Sequence, residues 1–186
     1  MKSDTPVVKD LVLIGGGHSH VAVLKKFGMK PLAGVRLTLI TRDVQTPYSG
    51  MLPGYIAGHY EFDETHIDLR PLAMFAGARI YHEEAIGIDH VNKKVICRNR
   101  PPVAFDILSV NVGSTPYMET PGAAEHVTPV KPISNFVTRW QGLFDRVHKN
   151  VGEIHIGGVG AGAGGVEVLL AIEHRLRGDF AAAGGS

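Results

Sequence analysis

Residues 8–41, VKDLVLIGGGHSHVAVLKKFGMKPLAGVRLTLIT, decide the fold class. The run 8–14 is short, apolar and β-branched, and it ends in three glycines, Gly15, Gly16 and Gly17, as a buried parallel strand does. His18 to Met29 then places Val21, Leu24 and Phe27 on one stripe, the spacing of a helix face. A turn through Pro31 to Gly34 leads into VRLTLIT, 35–41, a second strand. Strand, glycine turn, helix and strand within about 30 residues make a βαβ unit with a right-handed crossover. The pattern predicts an α/β protein with a Rossmann-like parallel sheet.

Further along the chain, Thr46 to His59 is rich in Gly and Pro and predicts a loop with short turns. Asp68 to Gly77 reads as a helical segment with Pro71 near its start, where proline is tolerated. Residues 78–82 predict a strand. Residues 85–98 predict a hairpin turning at Val91 to Lys93, the core of a small antiparallel meander. FDILSVNVG, 105–113, is another buried strand, and 121–132 has the prolines and glycines of a linker. Ser134 is the expected N-cap of a helix running to Lys149. GEIHIGGV, 152–159, then predicts a second apolar strand meeting a second glycine turn, followed by a helix over Val166 to Leu176. The strand–glycine turn–helix start thus occurs twice. The expected organisation is a first nucleotide-binding domain over 8–133, the beginning of a second, incomplete one over 134–180, and a flexible tail over 181–186.

The 186 residues carry 19 Lys and Arg against 18 Asp and Glu, a balance that argues against a nucleic-acid partner. No apolar run approaches the roughly 20 residues of a spanning helix. MKSDTPVVKD has no secretory apolar stretch, so the expected compartment is the cytoplasm. Cys97 is the only cysteine, which leaves no C-x-x-C pair for dithiol chemistry.

A dinucleotide carries a doubly charged pyrophosphate, and a helix N-terminus offers unpaired N–H groups and a partial positive charge. Glycines at the turn let backbone and phosphate come close. In the second turn Gly160, Gly162 and Gly165 complete G-x-G-x-x-G, with Glu167 two residues later. In the first, Gly15 and Gly17 fit but the third position is His20, whose bulk is expected to push helix and strand apart or change the helix entry. Thr41, followed by Arg42 and Asp43, stands where a ribose-gripping acid is usual, and its hydroxyl can serve the same ribose more weakly. His18 is placed near phosphate at the helix start. Residues two apart on a helix do not share a face, so His18 and His20 are not read as a metal pair, and no metal is expected. His59, His66 and His82 are scattered and read as surface residues, and Lys131 as a solvated lysine.

LVLIGGGHSH, RLTLITRD, PYSGMLPGYIAG, IDLRPLAMFAGARIYHEEAIGID, FDILSVNVGSTP and IHIGGVGAGAGGVE, in that order, resemble the two-dinucleotide-binding-domain flavoproteins, the pyridine nucleotide-disulfide oxidoreductases in the broad sense. The lack of a C-x-x-C pair makes the chain more similar to NADH dehydrogenases of that family than to its disulfide reductases. The first segments look most like the flavoprotein domain fused ahead of selenide, water dikinase. The resemblance implies FAD at the first turn, with Gly15, Gly17, His18, Ser19, His20, Thr41, Arg42, Ala85 and Gly113 in its binding set and Pro53 in a loop against the flavin. It implies NAD(P)H at Gly160, Gly162, Gly165 and Glu167. Any reaction would be hydride transfer from nicotinamide to flavin, chemistry that the cofactors carry. The family's NAD domain continues beyond one strand and helix and then returns to the FAD domain, so the chain is expected to be part of a longer protein, and NADH binding by it alone is not expected. Two readings stay open: part of an FAD-dependent NAD(P)H oxidoreductase, or a non-catalytic nucleotide-binding module regulating a fused or associated partner such as selenide, water dikinase. The electron acceptor and the oligomeric state are not legible.

Overall fold

In the computed structural model, residues 6–150 and 152–182 are described. The chain is α/β and forms two compact units, the first built from residues up to 46 and 68–113, the second from 47–67 and 114 onward.

The first unit is organised by a four-stranded parallel sheet in the order β5-β2-β1-β9. Its strands are β1 (Lys9–Ile14), β2 (Val35–Thr41), β5 (Arg79–His82) and β9 (Ile107–Val110). Register is fixed by Leu11 opposite both Leu37 and Ile107, and by Thr38 opposite Arg79. Successive side chains on a strand point to opposite faces, and here both faces are covered. Leu13, Leu37 and Leu39 meet Leu24 of α1 (His18–Met29) and Leu69 of α4 (Leu69–Phe75). Val12, Ile14 and Ile40 meet Val95, Cys97 and Val103. Those last three belong to an antiparallel meander of β6 (Ala85–Asp89), β7 (Lys94–Cys97) and β8 (Val103–Ala104). Two buried positions on β2 are polar, Thr38 and Thr41, and Thr38 accepts from the Arg79 guanidinium at 2.7 Å.

The expected loop over 46–59 contains more order than its glycines and prolines suggested. It holds β3 (Gln45–Pro47), a 3₁₀ turn (Ser49–Met51) and α2 (Leu52–Ile56), which buries Leu52 and Ile56 one turn apart and keeps Pro53 in its first turn. After α3 (Phe62–Thr65), β4 (His66–Asp68) leads back to the first unit. The later part of the second unit contains α5 (Ala123–His126), α6 (Ile133–Lys149) and α7 (Ala163–Ala182). Its core is Leu52, Ile56, Phe136, Val137, Trp140, Val168, Ala171 and Ile172.

Three expectations need correction here. The N-cap of α6 is Pro132, not Ser134, which lies inside the first turn and whose carbonyl accepts from the Thr138 hydroxyl at 3.3 Å. Proline holds φ at −65° and has no N–H to satisfy, so it leads into a helix, but it offers no side-chain acceptor to the free amides of the first turn. The last helix is longer than 166–176, starting at Ala163 and continuing through residues 181–182 of the expected tail; 183–186 lie outside the described residues. The strand expected over 152–159 is not formed: these residues are irregular and, Ile156 apart, exposed. An apolar alternating run becomes a strand only where another strand offers it hydrogen bonds, and none among the described residues does.

Candidate nucleotide-binding turn

The first glycine turn lies at the carboxyl end of β1, between β2 and β9, where ligands of open α/β sheets gather. Gly15 has φ +89°, and a Cβ there would collide with the Asn111 carbonyl. A Cβ at Gly16 would strike Leu69, and one at Gly17 the Asn111 carboxamide. Strand β1, its neighbour β9 and helix α4 therefore approach so closely that three glycines are needed before any ligand is considered. Gly17 caps α1 with extended backbone and no capping side chain, and the first turn of that helix, which includes His18 and Ser19, carries no acid. The amide of Gly17 donates to the Asn111 carbonyl at 3.2 Å, while Asn111 itself donates to Ile14 at 2.8 Å. Asn111 stands in the sequence only inside the stretch FDILSVNVGSTP, with no role of its own assigned there. Its only signal in the sequence is its place at the end of a strand that must pair beside the turn.

His20 does not wedge helix and strand apart, as its size led us to expect. It is 1% exposed and bridges them. Nδ1 lies 2.6 Å from the Gly15 carbonyl, which can only accept, so Nδ1 carries the proton. Nε2 then accepts from the Ser109 hydroxyl on β9 at 2.9 Å. Burial pushes the imidazole below its ordinary value of 6.5, against the opposing pull of the Gly15 bond, and so keeps it neutral. The third glycine position is thus filled by a side chain that ties the start of α1 to the ends of β1 and β9.

Thr41 ends β2 buried, and a Cβ on Gly16 would stand 3.4 Å from its hydroxyl oxygen. That hydroxyl donates to the Asp43 carbonyl at 2.8 Å, which leaves its lone pairs to accept from a sugar hydroxyl. Arg42 pairs with the Asp43 carboxylate at 3.0 Å, and that bond raises its pKa. Ala85 opens β6 opposite Cys97 and packs on the meander side of the core. Gly113 has φ +79° with open space around it. Cys97 is buried, and burial raises its thiol pKa, so it is held as an unreactive apolar filler.

Within the second unit, Gly160 has φ +95°, a Cβ on Gly165 would sit 3.7 Å from its carbonyl, and the amides of Gly165 and Val166 donate to Gly162. This turn opens α7, and Glu167 stands exposed in the first turns of the helix. Pro53 lies in the same unit, on α2. Lys131 donates to the Ser114 hydroxyl at 3.2 Å. Among the described residues no group of His, Cys, Asp and Glu has the arrangement of a metal site, and no helix is long and apolar enough to cross a membrane.

No family profile matches the chain. It is 29% identical over 171 residues to a protein of Bacillus subtilis (strain 168) described as NADH dehydrogenase-like protein YutJ, an alignment that takes in 87% of this chain and 44% of the relative. Its fold matches the sulfide:quinone oxidoreductase of Aquifex aeolicus with a TM-score of 0.69 at 21% identity, over 92% of this chain and 40% of that one. It also matches NDH2 of Plasmodium falciparum with a TM-score of 0.73 at 17% identity, over 92% and 38%. The fold is therefore the α/β, Rossmann-type fold of these two solved structures, and the chain is similar to an NADH dehydrogenase-like protein. It spans less than half the length of the curated relative that it matches.

Proposed function

We propose that this chain is the FAD-binding portion of an NAD(P)H-dependent flavoprotein oxidoreductase, with residues 8–133 forming the flavin-binding part and 134–180 the start of the NAD(P)-binding part. The observation that carries this reading is the bare N-terminus of α1 beside Thr41, at the carboxyl edge of a parallel sheet. The donor set suits the cofactor's two polar groups. The Gly15 and Gly17 amides are engaged by the Ile40 and Asn111 carbonyls, so the amides of Gly16 and Ser19, with no acid in the first turn of the helix, are the ones that suit a pyrophosphate, and the Thr41 lone pairs suit a ribose hydroxyl. FAD, when bound, supplies a ring that takes up hydride and hands its electrons on. The chain's own residues hold and orient: His20 and Asn111 keep the turn in shape, Arg42 and Asp43 neutralise each other beside Thr41, and Gly113 leaves room where the strand ends. Gly160, Gly162, Gly165 and Glu167 are the corresponding candidates for NAD(P)H.

Purified protein is expected to be yellow, with absorbance near about 450 nm, and to bleach when NADH is added without oxygen. A colourless preparation that takes up no added FAD overturns the reading. A second reading, a nucleotide-binding module without turnover such as the one fused ahead of selenide, water dikinase, is favoured by the irregular course of 152–158, which leaves the second turn without a strand before it. Its expected signature is a yellow protein that NADH does not bleach.

A further inference from the structure

The first unit carries an apolar surface that nucleotide binding does not use. Parallel pairing puts the starts of β1, β2 and β5 at one edge of the sheet and the glycine turn at the other. The short links 30–34 and 76–78 bring the ends of α1 and α4 to the starting edge. There Met29 is 71% exposed, Leu32 54%, Met74 78% and Phe75 56%. A Cβ on Gly28 would collide with the Phe75 ring, so the end of α4 rests on the end of α1 and these side chains share one surface. Val8, also exposed, packs against Gly34 in the adjoining link. Single exposed apolar residues are ordinary, but a group of them at one edge marks a binding surface.

Charge says what binds. Lys25, Lys26 and Lys30 are exposed on the same helix end, and neither 18–34 nor 69–80 contains an Asp or Glu. The acids at the strand starts are already engaged, Asp10 by Arg36 and Asp106 by Lys9. A second copy of this chain would set lysines against lysines. Lysines flanking Met, Leu and Phe are the composition of a surface that lies on a lipid boundary, with the aliphatic stems lying along the apolar side chains.

We propose that this edge docks peripherally on an anionic lipid surface, Met29, Leu32, Met74 and Phe75 entering the headgroup boundary while Lys25, Lys26 and Lys30 meet the lipid phosphates. The proposal is independent of the nucleotide reading, since the two sites occupy opposite edges of the sheet. The test is co-sedimentation of the whole chain with vesicles of phosphatidylcholine alone and of equimolar phosphatidylcholine and phosphatidylglycerol. Binding is expected only to the anionic vesicles and should weaken as salt is raised. The Lys25→Gln/Lys30→Gln variant should bind roughly twenty-five-fold more weakly, from a gain of about fivefold per lysine. The Leu32→Ser/Met74→Ser variant should lose at least about tenfold. If that variant melts early, Met74→Gln alone gives the readout. Equal binding to both vesicle types, anionic binding that neither variant weakens, or a vesicle-free dimer that the Met74 substitution dissolves would each overturn the proposal.

Discussion

The phosphate turn shows how little room a single residue has here. Gly15 is excluded from carrying a side chain by the Asn111 carbonyl and by its positive φ, so its identity is set by protein packing as firmly as by any ligand. His20 works in the opposite sense, adding bulk that the fold uses. Its neutral form is the one that the buried bridge selects, so its folded pKa lies below the unfolded value of 6.5. The stability it contributes is full above that value and declines as pH falls through the folded pKa, because the unfolded chain then binds the extra proton. Urea midpoints are expected to drop between about pH 6.5 and pH 5 in the native chain and to drop less in His20→Gln. Equal slopes in the two proteins would show that His20 is not the group responsible. The glycines of this turn were legible from their spacing. The role of His20 was not, because its partner Ser109 lies far along the chain and nothing local announces it.

Among the elements, those with strong local grammar came through: α1 and β2 match their expected limits, and β6 and β7 turn where the hairpin was placed. At that turn Lys93 has φ +50°, a conformation that costs a side-chain-bearing residue about 1 kcal/mol or more. Asp89 accepts from the Asn92 amide and holds the loop shut. Lys93→Gly is therefore expected to raise stability by up to about 1 kcal/mol, read as a higher urea midpoint with an unchanged slope. A lower midpoint would mean that chain entropy outweighs the relief. Residues 152–159 mark the limit of reading by pattern. Their alternation is strand-like, but a strand exists only as half of a pair, and the partner is not encoded in the run itself. The same holds for α6, whose entry is set by a proline that a search for hydroxyl caps overlooks.

For the whole molecule, the division into two units follows from three passages of the chain between them, which no local window reveals. Trp140, the single tryptophan, lies in the core of the second unit and reports on that unit's packing. Phe136→Ala should destabilise this core by about 3–5 kcal/mol and shift the tryptophan fluorescence transition. Amide exchange at Leu39 and Ile40, in the first unit, should keep its protection in the same variant. Simultaneous loss of both signals would show that the units melt as one. The sheet order has a consequence in time. β1 is a central strand, yet its neighbour β9 is made almost a hundred residues after it, once the meander and the insertion at 47–67 have been synthesised. Long-range parallel pairing is slow to find. A growing chain therefore carries β1 with one side unpaired while almost a hundred further residues are made, the interval in which it is most exposed to aggregation.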